Sequence, residues 1–328
     1  MNSAMLLLVA ALGGSVLPQG SALVPTQDGA LHVRTLGAER PGPAVVLLSG
    51  PTESWHSDTA WFALLQALLA DSVRTHAIDR AGQAFSDGPS GSYASFGRAL
   101  SSLLPSLERE PVFVIAFASA NLALHGYFAG NGPGAIAGAL LVDPDALSPG
   151  LLDFYAEQAV PFQSEALPDF VLSGGYDARA AEHRANDRAR VLRLADGPLS
   201  ARLDASYLDA VLGTRSERQR ILWRFQEIAH YGSDVRAAAA VPWPVSVPVW
   251  SFDTDFERAA IEAAAGPEER ATLSAWRQGA SDWMDGLPGS CRIVSTSTEH
   301  LAVIAQAPRL RDLILALRAG APCPAATR

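Results

Sequence analysis

Apolar and polar positions divide this chain into strands and helices from residue 31 onward. Leu31-His-Val-Arg-Thr-Leu36 alternates with period two and stops at Gly37, the pattern of a half-buried strand. Ala44-Val-Val-Leu-Leu48 is an unbroken apolar run, as expected of a strand covered on both faces. A helical pattern over 60–69 is followed by a strand over 74–78, a helix over 95–107 and the apolar run 112–116. A helix to about residue 129 and a strand over 137–142 complete the series. Such alternation predicts an α/β fold with a doubly wound, mostly parallel sheet and helices on both faces.

The alternation breaks after Asp145. Residues to about 244 read as charged and helical, with Arg179-Ala-Ala-Glu-His-Arg184 and Trp223-Arg-Phe-Gln-Glu-Ile228 as examples. Pro242-Trp-Pro244 makes a stiff re-entry, Val247 to Phe252 resumes the sheet, and Arg292 to Thr296 ends it before a helix over 308–319. The domain reading is therefore a core of residues 23–145 and 245–328, interrupted by a helical cap insertion over 146–244. Trp223 and Phe225 could line a pocket beneath that cap, although aromatics at helical spacing more often build a helix core.

Composition narrows the classes. The chain has 328 residues, 48% hydrophobic and 18% charged, enough for a large buried core. A net charge of −9 without any basic stripe argues against nucleic acid as a partner. All 25 basic residues are Arg, a bias that carries no functional meaning by itself. No His/Cys cluster has metal-ligand spacing and no Gly-rich phosphate loop is present, so neither a metal nor another cofactor is expected. The expected partner is a small-molecule substrate or ligand; the oligomeric state is not legible.

The first 27 residues carry no charged side chain, and Met5-Leu-Leu-Leu-Val-Ala-Ala-Leu12 has the length of a signal-peptide apolar region. Residues 1–22 read as a secretory signal with a cut after Ala22, giving a periplasmic or secreted protein; without that signal the expectation is cytoplasmic. No run is long enough for a stable membrane span. A final helix packed antiparallel to the last strand would bring Cys323 near Cys291, so a disulfide is geometrically reasonable, with two separate thiols as the alternative.

Four landmarks in order carry a resemblance: Leu47-Leu-Ser-Gly-Pro51, Asp79-Arg-Ala-Gly-Gln-Ala-Phe-Ser-Asp87, Ala116-Phe-Ala-Ser-Ala120, and Glu299-His-Leu-Ala-Val-Ile-Ala-Gln-Ala-Pro308. Over residues 30–145 and 245–320 the chain resembles the α/β-hydrolases, esterase- and lipase-like members included. They stand where that family has the His-Gly loop after its third strand, the Asp-x-Arg-Gly turn after its fourth, the Gly-x-Ser-x-Gly nucleophile elbow and the late Gly-His. The resemblance implies a nucleophile, a His base and an orienting carboxylate. His300 takes the base position, with His56 as runner-up on the pocket loop. Asp255 is the candidate acid, with Asp253 and Asp143 as alternatives, since some members carry the acid after an earlier strand.

The elbow departs from the family pattern. With Ser119 at its apex the flanking positions would be Phe117 and Asn121, too large for a tight strand-to-helix crossing. With Ala118 there, both flanks are alanine, and sterics favour this register. The oxyanion loop Gly50-Pro51-Thr52 departs as well, because Pro51 has no amide hydrogen and only Thr52 could substitute. Three readings follow. One is a hydrolase of small esters, amides or lactones using Ser119, His300 and Asp255. Another is an inactive pseudo-hydrolase that binds a small apolar ligand or partner. The third is an enzyme using His300 and a carboxylate for proton transfer without a covalent intermediate.

Overall fold

A computed structural model describes residues 16–89 and 91–324. The apolar segment 5–12 lies outside them. Eight strands form one sheet in the order β1-β2-β4-β3-β5-β6-β7-β8. They are β1 (Ser21–Thr26), β2 (Gly29–Leu36), β3 (Val45–Leu48), β4 (Thr75–Ile78), β5 (Val112–Phe117), β6 (Ile136–Val142), β7 (Val249–Asp253) and β8 (Cys291–Val294). β2 pairs antiparallel with β1 and β4, and every later pairing is parallel. The unbroken apolar runs become the central strands, and every residue of β3 and β5 is buried. One large apolar cluster fills each face, built around Leu47, Ile115 and Phe252 on one side and Val46, Val114 and Leu141 on the other.

β1 was not foreseen in the sequence. Ser21 and Ala22 pair with Arg34 and Val33, so a cut after Ala22 would fall inside this strand. The long helix Pro267–Asp285, between β7 and β8, was also not foreseen.

The insertion between β6 and β7 is helical, from Pro149–Ala159 through Tyr231–Ala239. It does not stand apart from the sheet. Tyr207, Leu208 and Val211 join one sheet-face cluster, while Leu151, Tyr155 and Val235 join the other. A third cluster belongs to the insertion itself, and Phe225 is buried within it beside Ile221 and Ile228. That placement makes Phe225 a packing residue.

Cys291, at the start of β8, is bonded to Cys323 with their Cα atoms 5.7 Å apart. The link pins the chain beyond the last helix (Ala307–Arg318) to the sheet edge and closes a loop spanning 32 residues. Cys323→Ser is expected to lower unfolding stability by about 2–4 kcal/mol, mainly by freeing the unfolded chain. Chemical denaturation of the two forms under oxidising conditions checks this; equal midpoints would contradict it.

Candidate active site

Consecutive parallel strands deliver the site at their carboxyl ends. Three strand ends carry a non-glycine residue in the left-handed region: Ala118 (φ 50°) after β5, Asp143 (φ 44°) after β6 and Asp255 (φ 50°) after β7. Such conformations cost of order 1–3 kcal/mol each and cluster where a side chain must be aimed. Ala118 holds its place through its amide, which donates to Val142 O at 2.9 Å. Ser119 has ordinary dihedrals (φ −63°, ψ 2°) at the start of the helix Ala120–Asn131. The tight apex of the turn is therefore Ala118, the register that the small flanking residues favour.

Ser119 is directed elsewhere. Its Oγ shares a hydrogen bond of 2.5 Å with the Tyr93 hydroxyl, and the residue is 1% exposed. Tyr93 begins the helix Tyr93–Leu107, which lies close on Ala120–Asn131 because Gly97 and Gly126 face the crossing. A Cβ at Gly97 would stand 2.5 Å from Tyr127 N. Burial pushes the Tyr93 phenol up, so it stays protonated beside Ser119.

His300 follows β8 and is buried. Its Nδ1 lies 3.0 Å from Asp143 Oδ2. Asp143 also accepts from Thr254 N at 2.7 Å and Thr254 Oγ1 at 2.6 Å, which fixes its carboxylate. A carboxylate only accepts, so Nδ1 carries the proton and Nε2 is left as the basic nitrogen. Phe256 covers the imidazole with ring centroids 4.1 Å apart, and Phe117 stands at 5.1 Å. Burial pulls the His300 pKa down, but the hydrogen bond and charge of Asp143, helped by Glu53 and Glu257, hold it above the usual value. Glu257 itself is pushed up to about 7 by burial, then by Asp143 and Asp253.

Asp255, the carboxylate expected to orient His300, does not do so. Its oxygens engage Arg277 Nε at 2.5 Å and the Arg258 guanidinium. Asp253 is held by Arg277 Nη2 at 2.8 Å and Arg292 Nη1 at 3.1 Å. Two arginines neutralise each, and neither reaches the imidazole. Asp143 fills the place instead. Its neighbours Thr254 and Phe256 had no distinguishing sequence signal, because their roles depend on β7 lying beside β6.

The loop after β3 is short of donors. Pro51 offers no N–H, and the Thr52 amide, the expected substitute, donates within the loop to His56 O at 3.2 Å. The Ser119 amide makes no hydrogen bond among the described residues and is the one candidate donor at the elbow. Gly50 packs directly on that turn: a Cβ there would lie 2.5 Å from Ser119 N and 2.6 Å from Phe117 O. Gly50→Ala should therefore cost about 1–3 kcal/mol through overpacking and displace the elbow. A thermal melt reads this, and an unchanged midpoint would contradict the contact. The second landmark braces the same region. Asp79 accepts from Thr59 N and lies 2.6 Å from His32 Nδ1, while Arg80 donates to Ser49 O, to Ser57 Oγ and to Glu227 of the insertion.

Solved structures share this fold. Cfl2 from Burkholderia cenocepacia superposes with a TM-score of 0.59 at 17% identity, over 90% of this chain and 95% of that one. Epoxide hydrolase VrEH1 from Vigna radiata gives 0.60 at 16%, over 92% and 98%. The enol-lactonase from Burkholderia xenovorans LB400 gives 0.52 at 16%, over 91% and 100%. The chain has the α/β-hydrolase fold. No protein-family model matches it, and no curated protein matches it in sequence. Within the α/β-hydrolase fold, then, this chain keeps a His–carboxylate pair at the strand ends and carries a methyl group at the elbow apex. No helix among the described residues is long and apolar enough to cross a membrane.

Proposed function

We propose that this chain is an enzyme for small esters or lactones that works by general acid–base chemistry at His300, without a serine-bound intermediate. The observation that carries this reading is Ala118 at the left-handed apex beside an ordered His300–Asp143 pair. A methyl group cannot attack a carbonyl, and Ser119 is committed to Tyr93. A water molecule would then supply the attacking oxygen. His300 Nε2 takes a proton from it as its oxygen bonds to the carbonyl carbon. The carbonyl oxygen gains charge, and the Ser119 amide is placed to donate to it. As the C–O bond to the leaving alcohol breaks, the imidazolium returns its proton to that alkoxide, giving acid and alcohol. Esterases, an epoxide hydrolase and a lactonase among proteins of like fold support a small-molecule substrate.

The helical insertion is proposed as the cap. Arg190 on its helix Asp177–Leu194 bridges Glu53, after β3, to Glu299, beside His300. Export is the matching proposal for localisation, supported by the Cys291–Cys323 bond, since disulfides persist in oxidising compartments.

The test is a panel of short-chain esters and lactones assayed with wild type and Ser119→Ala, together with a serine-directed phosphonate. The reading expects turnover within a few-fold of wild type for Ser119→Ala and no phosphonate adduct. An adduct on Ser119 with loss of activity in Ser119→Ala would overturn it. A second reading, a non-catalytic ligand-binding protein, is favoured by the paired losses of a hydroxyl at 118 and an amide at 51. Absence of turnover across the panel, with a retained small-molecule ligand, would select it.

A further inference from the structure

A second polar centre lies between the insertion and the loop after β3, formed by residues other than the His300–Asp143 pair. Arg215 is the hub. Its Nε and Nη2 donate to Asp58 at 2.7 Å each, its Nη1 donates to Asp187 at 2.7 Å, and its guanidinium lies 4.3 Å over the Trp61 ring. Arg224, on the helix Arg218–Ala229, is 3% exposed, yet its Nε and Nη2 have no hydrogen-bond partner among the described residues. His56 is 1% exposed, and its Nε2 is likewise unpartnered. All three border a cavity of about 10 Å³, together with Asp58, Gln83 and Arg220.

Two unpartnered groups around one cavity call for an explanation, because buried polar atoms are almost always bonded. A buried cation whose N–H groups are left unbonded is costlier still. Burial and then Arg215 push the Arg224 pKa down to about 10, which leaves it charged at neutral pH. Its Nε and Nη2 N–H groups require an acceptor that the described residues do not supply. The volume is about one water-sized sphere, so a monatomic ion fits only as the lining side chains give by roughly a few tenths of an ångström, and a whole sulfate, phosphate or acetate does not fit.

We propose that this cavity is a binding site for a halide-sized monovalent anion, held by Arg224 and taken up together with a proton on His56. Charge bookkeeping supports the coupling. Arg215 and Arg224 are balanced by Asp58 and Asp187, so an anion alone would leave the centre one charge negative. Ser54 Oγ donates to Asp187 at 2.9 Å and lies 3.1 Å from His56 Nδ1, so Nδ1–H donates to Ser54. His56 Nε2 then presents a lone pair to the cavity, which repels an anion until it is protonated. Protonation turns Nε2 into a donor, places the imidazolium 3.2 Å from Asp187 and brings the centre to neutrality with the anion bound.

The charged and titratable groups around His56 come from each packed element. Asp58 lies on its own loop, Asp187 and His183 on the helix Asp177–Leu194, Arg215 at the end of the helix Ala205–Thr214, and Arg224 on the helix Arg218–Ala229 with Arg220, which Glu217 neutralises. Without the anion, burial and then Arg224, Arg215 and His183 hold His56 well below 6.5. Linkage then requires anion affinity to fall as pH rises, by up to about tenfold per unit for one coupled proton.

The experiment follows ³⁵Cl NMR line broadening of the full chain during bromide competition at pH 5.5 and 7.5, at constant ionic strength. Wild type should broaden the chloride signal, bromide should reverse it, sulfate should not, and affinity should weaken at least several-fold at the higher pH. Arg224→Met removes the guanidinium and its unbonded N–H groups while keeping volume and helix propensity; it should stay folded by circular dichroism and lose the broadening. His56→Gln, which offers an N–H donor but no charge, should bind chloride more weakly than wild type at pH 5.5 and with no pH dependence. Broadening that persists in folded Arg224→Met, that sulfate reverses equally well, or that is the same at both pH values overturns the proposal.

Discussion

His300→Ala is expected to lower turnover by about 10²–10⁴-fold, the usual contribution of a positioned general base. Stability should change far less, because His300 sits at the strand ends and not in the sheet interior. The same loss should not appear in Ser119→Ala, whose hydroxyl faces Tyr93. Steady-state kinetics on the best ester or lactone separates the two variants, and equal losses would remove His300 from its proposed role. The pH profile adds a sign. The imidazole is a base only when neutral, and Asp143 holds its pKa above 6.5, so activity should fall toward acid through a midpoint above 6.5. In Asp143→Asn the supporting charge is gone and burial is left to dominate, so the midpoint should move lower while kcat drops. A midpoint unmoved by Asp143→Asn would mean that another group sets it.

Ala118→Ser should place a nucleophilic hydroxyl at the apex of the turn. Ala118 already has the left-handed backbone of an elbow apex, so the substitution adds a hydroxyl without new backbone strain. The expected result is stoichiometric phosphonate labelling at position 118. Wild type should show none, nor should the double variant Ala118→Ser with His300→Ala. Turnover through that hydroxyl should remain modest, because a missing oxyanion donor costs about 2.7–4 kcal/mol. Pro51 and the internally bonded Thr52 amide leave only the Ser119 amide at the elbow. Mass spectrometry of the labelled peptides reads the outcome. No adduct in folded Ala118→Ser would show that His300 Nε2 does not address that position.

Hydrophobic periodicity carried the sheet because a buried parallel strand needs an unbroken apolar run, and Val45–Leu48 and Val112–Phe117 have one. The elbow register was legible for a related reason: only small residues fit two positions either side of a tight crossing, so Ala116 and Ala120 pointed to Ala118. The acid was not legible. Asp143, Asp253 and Asp255 all follow strands, and each is a plausible loop carboxylate. Their fates depend on which arginines fold back onto them. Arg277 and Arg258 claim Asp255, and Arg277 with Arg292 claims Asp253, whereas Asp143 is hydrogen-bonded to Thr254 and His300.

β1 escaped for another reason. Its composition near residues 21–26 serves equally for the end of an apolar leader, and only its pairing with β2 marks it as a strand. The anion centre was invisible too, since His56 lies far along the chain from Arg215 and Arg224 and all three are ordinary residues singly. Short-range pattern thus determined the sheet, the inserted helices, the alanine at the elbow apex and the position of His300. Tertiary structure alone decided which carboxylate meets His300, where the Ser119 hydroxyl goes and which arginine keeps N–H groups unbonded among the described residues. Those outcomes are set by long-range charge pairing in a low-dielectric interior, where side chains from distant segments compete for the same few partners.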